Sequence, residues 1–211
     1  MASYTSTNIA SWERFYRANF INSLTGFKSI NLIGTVNKEG QTNLAMFSSI
    51  VHIGSNPALI GYINRPVKAA PHTLANIEAT GVYTINHIQP QFVQQAHETS
   101  AKYEDGISEF EQVGLTPLFK EDIIAPFVKE SSIRYALSLQ QIIPITLNDT
   151  FLVIGKVIYI ELENNIIAAD GFLHLEKANS VCSNGIDGYY TTALIERYSY
   201  AKPGISAQKI S

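Results

Sequence analysis

One cysteine stands in the whole chain, Cys182. A lone thiol excludes an intramolecular disulfide and any thiolate zinc or iron–sulfur cluster built from this chain alone. It fits a reducing, cytoplasmic setting, and with no base beside it in sequence it reads as an inert thiol. Charge is sparse, at 16 % of residues with a net of −3. The cations stand apart, as at Lys28, Lys38 and Lys68. A phosphate backbone therefore has no basic cluster to meet, and no nucleic-acid partner is expected. No apolar run is long enough to span a bilayer, so no membrane role is expected. Met1–Phe20 carries Glu13, Arg14 and Arg17 without the apolar segment of a secretory signal. The histidines His52, His72, His87, His97 and His174 lie far apart, with neither H-x-H nor H-E-x-x-H, and no metal site is expected. Also missing are G-x-G-x-x-G, G-x-x-x-x-G-K-[ST] and G-x-S-x-G. These absences argue against a Rossmann nicotinamide domain, a phosphate-loop nucleotidase and a serine hydrolase elbow.

What is present is strand. The 211 residues suit one domain able to bury a sizeable core. Alternation over Ile30–Val36 predicts a strand, and Asn37-Lys38-Glu39-Gly40 a hairpin turn back into Thr42–Ile50. Gly54–Pro57 is a second turn and Ala58–Ile63 another strand, ended by Asn64, Arg65 and Pro66. His72–Thr80 has Leu74 and Ile77 at helical spacing, with Gly81 as its stop. Val82–Ile88 is strand, Pro90–Ala96 a second helix, and Glu104–Val113 a short helix or a loop. Tyr135–Ile145 and Leu152–Leu162 are predicted strands, the second long enough to cross a barrel and bend at Gly155. Ile166–Leu173 reads as a further strand or a covering loop, and Ser183–Ser211 as an irregular tail. No strand–helix–strand alternation runs through the chain, which favours an antiparallel barrel with peripheral helices over a doubly wound sheet.

Four segments, in order, resemble the flavin reductase-like family. They are TVNKEGQTNLAMFSS (35–49), SNPALIGYINRP (55–66), HTLANIEATGVYTINHI (72–88) and HETSAKYEDGISEFEQVGLTP (97–117), with a weaker echo in LVIGKVIYIEL (152–162). The likeness covers Ile30 to Pro117, and it is the order and spacing of the segments that carry it. It implies a mainly β fold, a six-stranded antiparallel Greek-key split barrel with peripheral helices. Residues 1–211 would form a single FMN-binding domain with an N-terminal extension. It further implies a homodimer with FMN near the interface and NAD(P)H as electron donor.

FMN needs a flat apolar wall and backbone groups for its ring, and cations, hydroxyls or free N–H groups for its phosphate. Asn43, Ala45, Met46 and Phe47 are the candidates for the ring, with main-chain groups of Ala45, Met46 and Phe47 at its polar edge. The same residues also suit plain strand core. Arg65, His72 and Thr73 are the phosphate candidates, with hydroxyls from Ser48 and Ser49 and a contribution from Asn64. An ordinary surface arginine beside a helix cap reads the same way. Lys102 is placed near the ring or a nicotinamide phosphate, or else in solvent. Tyr189 and Tyr190 cover the flavin from the partner subunit or fill an interface. No catalytic side chain is named. Three functions stay open: an FMN-dependent NAD(P)H oxidoreductase, an FMN-bound electron carrier, and a barrel that has lost its flavin.

Overall fold

The computed structural model describes residues 1–69, 71–104 and 106–210. Asp105, inside the Glu104–Val113 segment, and Ser211, at the end of the tail, lie outside the described residues. Seven strands form the main sheet: β1 (Asn31–Val36), β2 (Thr42–Phe47), β3 (Val51–Ser55), β4 (Ala58–Asn64), β5 (Val82–His87), β6 (Ile133–Ile145) and β7 (Thr150–Leu162). Their order is β2-β1-β5-β6-β7-β4-β3, and every neighbouring pair is antiparallel. The two edge strands, β2 and β3, are consecutive in the chain, with only Ser48, Ser49 and Ile50 between them. One continuous stretch therefore pairs with β1 at one edge and with β4 at the other, which curls the sheet into a barrel. The count is seven strands rather than six because the expected Thr42–Ile50 strand changes partner after Phe47.

Ser49 stitches this seam. Its Oγ accepts from Ile63 N–H and donates to Ile63 C=O, both at 3.1 Å. A side chain here supplies the pair of bonds that a backbone neighbour supplies elsewhere in the sheet.

Inward-facing residues at period two fill the barrel: Ile33, Phe47, Tyr62, Tyr83, Ile85, Leu137 and Val153, joined by Leu74 and Ile77. Those last two belong to helix α3 (Pro71–Thr80). Pro71 begins it where no N–H is needed, and Gly81 ends it at φ +74°, donating to Ile77 C=O at 2.8 Å. The opposite face of β1 and β2, with Leu32 and Leu44, is covered by helices α4 (Val93–Glu98) and α5 (Glu109–Val113). Both faces of β1 are thus buried, including its polar Asn31 and Thr35. A 3-10 turn at Pro90–Phe92 leads into α4. The bend expected at Gly155 is a register shift between β6 and β7. A Cβ at Gly155 would stand 2.3 Å from Tyr83 Oη, so only glycine lets that phenol pass. His87, at the end of β5, bonds Ser180 Oγ through Nδ1, and burial pulls its imidazole down to about 4. It is neutral at physiological pH.

Several elements have no counterpart in the sequence reading. A hairpin, Pro117–Lys120 with Ile123–Val128, packs on β1 and β5, where Thr84 Oγ1 donates to Pro126 C=O at 2.6 Å. Two N-terminal helices, α1 (Ser6–Ser11) and α2 (Arg14–Leu24), contain no buried residue. The tail is not wholly irregular: Cys182–Asn184 pairs with Gly188–Tyr190 and with Lys28–Ser29, and Arg197–Tyr198 pairs with Lys209–Ile210. Ile166–Leu173 is a loop closed by a single bridge, Ile167 to Leu173, after a 3-10 turn at Asn164–Ile166.

Ser49→Ala leaves Ile63 N–H and C=O without partners at the seam. The expected cost is about 2 kcal/mol of unfolding free energy, measured by urea denaturation, against little change for Ser48→Ala.

Candidate functional site

The alternation of an antiparallel ladder decides which groups of β2 remain open. Ile33 opposes Ala45, Thr35 opposes Asn43 and Asn31 opposes Phe47. The Leu44 N–H leaves the ladder and donates to Glu109 Oε2 at 2.8 Å. The main chain of Asn43, Ala45 and Phe47 therefore faces β1, and that of Leu44 and Met46 faces the opposite edge. No strand pairs with that edge among the described residues. Of the three residues expected to offer backbone to a ring, only Met46 does so.

The start of α5 covers part of the rest of the edge. Thr42 Oγ1 lies 2.6 Å from Ser108 Oγ, and Glu109 is 7 % exposed. Burial pushes the Glu109 carboxyl up, while the Leu44 amide and the nearby His72 pull it the other way. Glu109 is a site residue that local sequence did not reveal, because in a five-residue helix a glutamate is normally solvated.

Asn43 and Thr73 do meet, but inside the protein. Asn43 Nδ2 donates to Thr73 Oγ1 at 3.2 Å and to Thr35 Oγ1 at 3.3 Å, and Asn76 Nδ2 donates to Thr35 Oγ1 at 3.1 Å. All four side chains are buried. This network pins α3 to β1 and β2, so the Thr73 hydroxyl is a strut rather than an exposed helix cap. Phe47 is core as well, its ring 4.8 Å from that of Tyr62. Ala45 is half-buried against the same cluster.

The phosphate candidates divide. Asn64 is fully buried, with Nδ2 donating to Arg65 C=O at 2.8 Å and Oδ1 unpartnered. The Arg65 side chain is exposed, and no hydrogen bond or ion pair holds it among the described residues. Ser48 is half-buried with a hydroxyl that bonds nothing described, whereas the Ser49 hydroxyl is committed to Ile63. His72 is half-buried and lines a cavity of about 270 Å³ with Thr42, Asn43, Asn76 and Ile107. Lys102 is exposed, and no hydrogen bond or ion pair joins it to the others. Tyr190 packs on Phe27, ring centroids 4.9 Å apart, and Tyr189 reaches Met46 of its own chain. Cys182 is half-buried, and burial pushes its thiol up, away from nucleophilic use.

Comparison with known proteins places these features in context. A family model described as flavin reductase like domain matches residues 25–177. A split-barrel protein of Shewanella frigidimarina NCIMB 400, assigned as a flavin reductase, superposes with a TM-score of 0.92 at 44 % identity, over 95 % of this chain and 100 % of that one. Component B of the nitrilotriacetate monooxygenase from Bacillus cereus superposes at 0.80 with 23 % identity, over 92 % and 96 % of the two chains, a likeness of fold. An uncharacterized protein of Aquifex aeolicus (strain VF5) is 25 % identical over 80 % of this chain and 86 % of its own length.

Glu109 gives a test with a defined sign. Its folded carboxyl lies above the unfolded value, so its contribution to stability is fully present below the unfolded value and is lost as pH rises through the folded one. Glu109→Gln keeps an acceptor for Leu44 N–H and removes the buried charge. It is expected to match or exceed the wild type at pH 7 and to lose that pH dependence. Glu109→Ala orphans the amide and is expected to cost about 1–3 kcal/mol in urea melts at pH 7.

Proposed function

The chain belongs to the flavin reductase-like domain family, and from that premise we propose that it binds FMN at the open edge of β2 and oxidises NAD(P)H. The observation that carries the reading is the Met46 main chain, left unpaired on the open edge of β2 among the described residues, while Arg65, two positions past the Ile63 that Ser49 bonds, makes no hydrogen bond or ion pair among them. A flavin ring has donors and acceptors along one edge and apolar faces, and an extended backbone edge between apolar side chains suits both.

The residues present fit the group. Met46 offers main-chain N–H and C=O for the polar ring edge. Arg65 supplies an unspent guanidinium for the phosphate, with Ser48 and His72 as further hydrogen-bonding groups. The orphaned Asn64 Oδ1 is an acceptor suited to a sugar-chain hydroxyl. Bound FMN would supply two-electron chemistry with a nicotinamide and pass electrons on to an acceptor. The protein's part is to hold the ring edge, keep water from it and direct a fixed N–H toward charge that develops there. Asn43 and Thr73 act one layer back, fixing α3 and the strand that carries Met46. Lys102 remains a proposed contact to the ring or to a nicotinamide phosphate.

The functional unit is a homodimer in this reading. Helices shorter than a dozen residues do not hold their shape alone, yet α1 and α2 have no fully buried residue in their own chain. Phe15, Leu24, Phe27, Ile195 and Tyr200 are each more than 60 % exposed, which is apolar surface that a second copy would cover. The single shielded thiol agrees with a cytoplasmic setting.

Steady-state NAD(P)H oxidation, with and without added FMN, tests the proposal. Stimulation by FMN at a particle mass of twice 23.3 kDa is expected. Arg65→Ala is expected to weaken FMN binding about tenfold or more, the loss of a charge-assisted phosphate contact. FMN that binds without supporting nicotinamide oxidation would mark an electron carrier. Failure to bind FMN at all would sink both.

A further inference from the structure

The tail returns to the barrel where Val181 N–H donates to Ile88 C=O at 3.0 Å. Its hairpin, with Ser183 opposite Tyr189, then lies along Lys28–Ser29. This brings Tyr189 onto the outer face of β2, where it packs with Met46 and Val93 against the outer cluster. Its Oη stands 2.6 Å from His97 Nδ1 and 3.5 Å from Met46 Sδ. The imidazole and phenol rings meet edge-on, at 90° and 5.8 Å between centroids. His97 itself is exposed, in the last turn of α4. A histidine on one element, a tyrosine on another and a residue on the open edge of the seam strand are thus joined through a single hydroxyl.

A surface Tyr–His pair alone would be unremarked. What distinguishes this one is its third member. Met46 has its main chain on the unpaired edge with no partner among the described residues, and Tyr189 is half-buried on its side chain. The neighbouring Tyr190 turns away to Phe27.

We propose that Tyr189 forms a wall of the flavin site in its own chain, and that His97 is the positioning residue that holds it against Met46. The inference rests on the FMN reading above and deepens it. It assigns to the tail, which lies beyond the 25–177 family match, a part in ligand recognition. The ligand it selects is a planar, electron-poor ring, because a phenol edge or face next to such a ring gives favourable stacking and donates electron density.

The test uses the full-length protein with FMN as probe, reading Kd and the fluorescence of bound FMN. A tyrosine in contact with an excited flavin quenches it by electron transfer, and phenylalanine does not. Tyr189→Phe is therefore expected to raise bound-FMN fluorescence several-fold while changing Kd little. Tyr189→Leu is expected to do the same and to weaken binding about five- to tenfold. His97→Ala is expected to raise fluorescence partway by loosening the phenol, and His97→Gln, whose amide can still bond the hydroxyl, to restore quenching. A purely structural role for the pair would shift melting temperature without moving fluorescence. If the wild type binds and quenches FMN and Tyr189→Phe quenches equally, the wall is disproved while the FMN site stands. If the wild type binds no FMN, the underlying reading falls and the wall with it. Because His97 is exposed, its variants keep the proposal falsifiable should Tyr189→Leu fail to fold.

Discussion

A single stretch of chain serves both edges of the sheet. Residues Thr42–Ser55 pair with β1 as far as Phe47 and with β4 from Val51 onward, and the crossing is fixed by one serine hydroxyl bonded twice to Ile63. The barrel, its filled interior and the placement of α3 all depend on that closure. An open seven-stranded sheet would expose Phe47, Tyr62 and Val153 on one face and leave two long unpaired edges, a template for aggregation. Closure buries that face, while the outer edges of β2 and β3 stay without a strand partner among the described residues.

The open edge of β2 creates the site. The chain covers part of that edge with groups from the start of α5: Ser108 at Thr42 and the buried Glu109 at Leu44. It leaves the edge open at Met46, within reach of the tail. An unsatisfied backbone edge in a half-buried place costs free energy unless something binds there. Past the seam, at the end of β4, stand the orphaned Asn64 Oδ1 and then Arg65, which makes no hydrogen bond or ion pair among the described residues. In the proposed reading, this open edge is where the cofactor binds.

Much of the fold was legible from local pattern. Alternation marked β1, flanking turn signals bounded β4, Gly81 marked the end of α3, and Gly155 marked the bend of β7. The reading failed where partners lie far apart in sequence. Thr42–Ile50 contains no Gly or Pro to mark a break, so nothing local shows that the strand changes neighbours at Ser48 and Ser49. Asn43 and Thr73 are residue types that ligands favour, yet they bond each other across 30 positions and spend their polarity in the core. Glu109 carries the reverse error: it belongs to a type expected in water and is held at a strand edge 65 positions away. The strands of the tail are two or three residues long, too short for periodicity to register.

The central claim is that the open edge at Met46 receives the flavin ring, and the composition makes it directly measurable. The chain has two methionines, Met1 and Met46, and the first carries an amine rather than an amide. Protein labelled only with ¹⁵N-methionine should thus give one amide resonance, that of Met46, in a proton–nitrogen correlation spectrum. On titration with FMN, that resonance should move downfield and saturate with the same Kd as the flavin's visible absorbance change. Saturation of the absorbance with the Met46 resonance unmoved would mean that FMN binds elsewhere, and would contradict the account.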